Sequence, residues 1–73
     1  MSYHVAVVGA TGAVGREMIR MLEASPLPIG KVSLFASARS AGMPLSVRGA
    51  EVAVQELTAD VFGGVDIALF SAG

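Results

Sequence analysis

The 73-residue sequence contains no cysteine and no tryptophan, and only one histidine, one tyrosine and three prolines. The first absence rules out a disulfide framework, a thiolate metal site and a cysteine nucleophile within this stretch. The single histidine, His4, sits at a strand entrance, a setting that suits a structural imidazole rather than a catalytic one. No serine has a histidine beside it in the sequence, so no residue is assigned a catalytic role and no metal-ligand set is expected. Charge is sparse as well: five basic against six acidic residues leave a formal net charge of −1. The basic residues are scattered, which gives no electrostatic case for nucleic acid or an anionic membrane. Nor is there a run of about 18 apolar residues or a charged-then-apolar leader pattern. The expectation is a cytoplasmic protein with neither membrane nor nucleic-acid partners.

Apolar residues and glycine are what the chain does have. The stretch Gly9-Ala10-Thr11-Gly12-Ala13-Val14-Gly15 joins the apolar run Val5-Ala6-Val7-Val8 to an amphipathic segment from about Gly12 to Ala24. An unbroken apolar run is the pattern of a strand buried on both faces of a parallel sheet. After it, Val14, Met18, Met21 and Leu22, with Ile19 beside them, predict the buried stripe of a helix whose other side carries Arg16, Glu17, Arg20 and Glu23. Strand, glycine turn and helix form the first half of a nucleotide-binding βαβ unit. Gly9 permits a backbone angle that side chains disfavour, Gly12 lets a pyrophosphate approach the main chain, and Gly15 lets helix and strand pack closely. Thr11 offers a hydroxyl, Ala13 is small, and the free N–H groups of the first helical turn face the phosphates. No Gly-Lys-Ser/Thr follows, which disfavours an NTPase phosphate loop.

The helix ends at Ser25-Pro26-Leu27-Pro28, with Gly30 completing the turn, and Lys31 to Ala36 reads as a second parallel strand with Val32, Leu34 and Phe35 as core candidates. The segment beyond it, Ser37-Ala38-Arg39-Ser40-Ala41-Gly42, carries the most discriminating chemistry. An NAD site usually places an acid here for the ribose 2′-hydroxyl. This segment has none and supplies a guanidinium and two hydroxyls instead, which suits a 2′-phosphate and points to NADP; a solvated loop with one arginine is the alternative.

Leu45 to Arg48 and Glu51 to Gln55 alternate in period two about Gly49-Ala50, the pattern of a β-hairpin where a plain Rossmann plan has a crossover helix. Leu57-Thr58 lines the adenine or forms a surface turn, and Thr58 is placed as the cap of a short helical turn through Asp60-Val61-Phe62 that stops at Gly63-Gly64. Val65 to Phe70 is the last strand, beside the first, giving a Rossmann-like parallel sheet of order 3-2-1-4 with a hairpin insertion. Asp66, at its entrance, reads as a solvated charge. Ser71, Ala72 and Gly73 then fall at the topological switch point, either as small residues near the cofactor or as a simple turn.

At 53% hydrophobic residues and a mean hydropathy of +0.68, the chain exceeds the usual apolar share of ~45–50%. One small domain at most fits this length. The expectation is therefore that residues 1–73 form the N-terminal part of an NADP-binding domain in a longer protein. On its own such a piece is expected to self-associate or fold loosely, through uncovered sheet edges.

The strings VAVVGATGAVGREM, SLFASARSAG and ALFSAG, at this spacing, together resemble the N-terminus of the aspartate-semialdehyde dehydrogenase family, especially its bacterial form. The resemblance runs over essentially the whole chain. It implies a Rossmann-like domain of an oxidoreductase that reduces L-aspartyl-4-phosphate to aspartate-4-semialdehyde with NADPH, on the route to lysine (through diaminopimelate), threonine and methionine, in a homodimer or homotetramer. It alone implies that a catalytic and dimerisation domain completes the longer protein. It also implies that Thr11, Gly12, Ala13 and Val14 meet the pyrophosphate, that Ser37, Arg39 and Ser40 hold the 2′-phosphate, and that Ser71, Ala72 and Gly73 contact the middle of the cofactor. The family's catalytic cysteine, acid/base histidine and substrate-binding arginines have no counterpart here, so the segment alone is expected to be inactive. An N-acetyl-gamma-glutamyl-phosphate reductase-like enzyme and a non-catalytic NADP-sensing module are the alternatives.

Overall fold

The computed structural model describes residues 2–58 and 62–70. The elements run β1 (Tyr3–Val8), α1 (Ala13–Glu23), β2 (Ile29–Ala36), a single 3-10 turn (Ala38–Ser40), β3 (Pro44–Val47), β4 (Ala50–Glu56) and β5 (Ile67–Phe70). They form one sheet in the order β3-β4-β2-β1-β5. Strand β1 pairs in parallel with β2 and β5, β2 pairs in parallel with β4, and β3 runs antiparallel to β4. With β3 set aside as a hairpin arm, the parallel strands stand in the expected order 3-2-1-4. Among the described residues no helix is long and apolar enough to cross a membrane.

Val5, Ala6 and Val7 are completely buried, which is why β1 reads as a continuous apolar run: both of its faces are covered. On the helix side, Val5 and Val7 pack with Leu34, Ala36, Val54 and Val47 beneath Ile19 and Leu22. On the other, Ala6, Val8 and Phe35 form a smaller cluster against Phe62 and Val65. Phe62 stands 6.0 Å from Phe35 and 5.9 Å from Phe70 between ring centroids, a tilted arrangement that aromatic rings favour. The short helical turn expected through Asp60-Val61 lies outside the described residues.

Strand β5 begins at Ile67 rather than Val65, and three further features differ from expectation, each for a local reason. Helix α1 buries Gly15, Ile19 and Leu22, whereas Val14 and Met21 are 50% and 67% exposed. A Cβ at Gly15 would fall on the Gly9 carbonyl oxygen and 2.8 Å from Ala10 Cα, so the glycine must face the sheet and fixes the helix's rotation. Strand β2 begins at Ile29 rather than Lys31: Tyr3 pairs with Ile29 and His4 with Lys31, leaving Gly30 as an extra residue in the ladder. The hairpin turn is Arg48-Gly49 rather than Gly49-Ala50, because Val47 pairs with Ala50. Arg48 and Gly49 have φ of 52° and 82°, the two positive angles that a type I′ turn needs to match strand twist.

The amino ends of the strands are closed by their own polar groups. His4 Nε2 lies 2.7 Å from Ser33 Oγ and Nδ1 3.2 Å from the Gly64 carbonyl oxygen. The main-chain N–H of His4 donates to the Asp66 carboxylate at 2.8 Å, and the Asp66 N–H donates back to the His4 carbonyl at 2.9 Å. His4 is thus structural, as expected. Asp66 is exposed but does more than a solvated charge, since it secures β5 to β1.

Candidate cofactor-binding site

All the parallel strands end on one edge, and the loops that leave them carry the glycines and the arginine. Gly9 turns out of β1 with φ of 82°, a left-handed angle that favours glycine. The turn is bound to the neighbouring strand because the N–H groups of Gly9 and Ala10 both donate to the Phe35 carbonyl, at 2.8 and 3.1 Å. Gly12 then caps α1 in an extended conformation, with no side chain capping the helix and no acid in its first turn. The amides of Ala13, Val14 and Gly15 precede the first intrahelical bond, made by Arg16 N–H to the Gly12 carbonyl at 3.0 Å. Such amides, at the positive end of the helix dipole, favour an anion.

Gly12 and Gly15 serve opposite purposes. Packing requires Gly15, as above. Among the described residues, a Cβ on Gly12 would meet only the Gly9 carbonyl oxygen, at an ordinary 3.5 Å, so none of them demands a glycine there. The missing side chain leaves the main chain open to a ligand of the diphosphate type.

Beyond β2, Ser37 starts the 3-10 turn that contains Arg39 and Ser40. Thr11 Oγ1 and Ser40 Oγ are 3.2 Å apart, so this turn stands against the glycine loop. Arg39 is exposed, and the only ion pair among the described residues joins Glu17 and Arg20 at 3.5 Å. A cleft of about 370 Å³ opens at the same edge, lined by Val8, Gly9, Ala36, Ser37, Ala38, Glu56 and Leu57. Gly9, Ser37 and Leu57, singled out separately in the sequence, share this cleft. Glu56 does not stand out in the sequence; that it ends β4 on this edge is the only signal that could have marked it. Ser71, Ala72 and Gly73 lie outside the described residues. Among those described, no three His, Asp or Glu side chains gather as a metal site.

A family model described as "Semialdehyde dehydrogenase, NAD binding domain" matches residues 4–73. The chain belongs to this family. A nicotinamide dinucleotide is accordingly the cofactor class of the semialdehyde dehydrogenase NAD-binding fold seen here. The chain is 51% identical over 70 residues to aspartate-semialdehyde dehydrogenase of Bacillus subtilis, covering 96% of this chain and 20% of that protein. To the enzyme of Aquifex aeolicus it is 49% identical over 74 residues, covering 100% and 22%. The crystal structure of aspartate semialdehyde dehydrogenase II from Vibrio cholerae, complexed with ASA, superposes with a TM-score of 0.92 at 41% identity, over 100% of this chain and 24% of that one. The chain spans about a fifth of the length of the curated relatives it matches.

Proposed function

We propose that this chain is the NADP-binding part of an aspartate-semialdehyde dehydrogenase. The whole enzyme would reductively dephosphorylate L-aspartyl-4-phosphate to L-aspartate-4-semialdehyde, in the cytoplasm, as a homodimer or homotetramer. The observation that carries the cofactor choice is the composition of the turn beyond β2: Ser37, Arg39 and Ser40 with no carboxylate in residues 37–42. A carboxylate there would repel a 2′-phosphate, whereas a guanidinium binds it by charge-assisted hydrogen bonds.

In this reading Gly9, Thr11, Gly12, Ala13, Val14 and Gly15 shape the diphosphate cradle. The adenosine lies toward the cleft that Ser37 and Leu57 line, and Ser71, Ala72 and Gly73 approach the middle of the dinucleotide. Bound, NADPH would supply a hydride. The chain's own contribution is to hold and orient the cofactor: its cysteine-free sequence offers no thiolate for covalent catalysis, so it binds without turning over.

Titration of the purified protein with NADP and NAD tests this. The expected result is tighter NADP binding, weakened by Arg39→Ala about 10- to 150-fold, the worth of a hydrogen bond to a charged group. Equal affinity of the unaltered protein for the two cofactors overturns the NADP assignment. NADP binding by the full-length protein without aspartate-semialdehyde dehydrogenase activity would instead make it a non-catalytic NADP-binding module.

A further inference from the structure

Resting on the NADP reading, we propose that Thr11 is a positioning residue for the 2′-phosphate: through Ser40 it sets where that phosphate is held, in addition to any contact with the diphosphate. Thr11 and Ser40 lie 29 positions apart, on loops from different strands, and their hydroxyl oxygens stand 3.2 Å apart in a half-buried setting. The other bonds at the turn are backbone bonds, either within it or to β4. Ser40 N–H donates to the Ser37 carbonyl at 2.9 Å, Gly42 N–H to the Val54 carbonyl at 2.7 Å, and Val54 N–H to the Met43 carbonyl at 2.8 Å. The last two tie the end of the turn to β4, while the glycine loop is tied to the end of β2 by the Gly9 and Ala10 N–H groups on the Phe35 carbonyl. Among the described residues, the hydroxyl pair is the one side-chain bond that joins the 3-10 turn itself to the glycine loop.

The chemistry of two hydroxyls gives the pair a direction. Each is one donor and two acceptors, and either can donate to the other. When an anion accepts the Ser40 proton, Thr11 must donate to Ser40 Oγ, and a hydroxyl that accepts one bond donates a stronger one. Thr11 therefore strengthens the grip on a 2′-phosphate that it does not touch.

The probe is adenosine 2′-monophosphate, which carries the 2′-phosphate and no diphosphate. Thr11→Val keeps the side chain's shape and deletes the hydroxyl; it is expected to weaken this ligand about 2- to 12-fold. Thr11→Ser should restore the affinity, and in a Ser40→Ala background Thr11→Val should have no further effect. An unchanged affinity in Thr11→Val, or the same loss in both backgrounds, overturns the link. Should the valine variant lose its native melt, Thr11→Ala takes its place in the cycle. Weakening by Arg39→Ala with Thr11→Val silent sinks the link alone, whereas no binding by the unaltered protein sinks the NADP reading with it.

Discussion

The two ends of the same parallel strands are built on opposite rules. At the amino end, polar groups find one another: the His4 ring joins Ser33 and Gly64, Asp66 holds the His4 amide, and Glu23 accepts the Arg48 N–H at 2.9 Å. At the carboxyl end, Thr11 and Ser40 pair, but the first amides of α1 and the Arg39 guanidinium have no side-chain partner among the described residues. Ser33 is only 4% exposed, so leaving it unpaired would be costly, whereas Ala13, Val14 and Arg39 at the carboxyl end are exposed. The difference separates polar groups that stabilise the fold from those left open at the proposed cofactor edge.

Substitutions of the polar side chains at the two ends should accordingly have effects that do not overlap, and both should be smaller than a disturbance of the packing between them. The largest is expected at the junction of strand and helix: Gly15→Ala forces a Cβ into backbone that cannot rotate aside and should cost about 3 kcal/mol of stability, read as a lowered denaturant midpoint. Arg39→Ala should reduce NADP affinity by one to two orders of magnitude with its melting temperature unchanged, and added salt should shrink the difference because the guanidinium is exposed. His4→Leu, which strands the Ser33 hydroxyl, should destabilise by about 1–2 kcal/mol while cofactor affinity stays the same. Adding Ser33→Ala should recover most of that loss, since removing both partners is milder than removing one. Weaker cofactor binding in His4→Leu at full foldedness would break the separation of the two ends. Met21→Gln, on the exposed side of α1, should change stability by about 0.5 kcal/mol or less.

The glycine loop, the strand order and the acid-free turn were legible because each depends on residues adjacent in sequence: three glycines between an apolar run and a helix, period-two arms, a single arginine. The helix face was misjudged because counting apolar residues favoured Val14 and Met21, while the contact that sets the rotation belongs to Gly15, which has no side chain to count. The hairpin turn slipped by one because Arg48 hardly advertises a positive φ. The His4–Ser33, Phe35–Phe62 and Thr11–Ser40 contacts span 27 to 29 positions, and only the crossover topology brings such pairs together. Nothing local encodes them.

The interlock of Gly15 with the Gly9 carbonyl and Ala10 has a consequence for how a ligand is received. Since the start of α1 cannot separate from the end of β1 without unpacking, the conformational freedom of that loop is lost when the chain folds and not when the dinucleotide arrives. The remaining adjustment on binding then falls to the short arc carrying Arg39, and slowed amide exchange in a cofactor-saturated sample should appear there as well as at the α1 amides that receive the diphosphate.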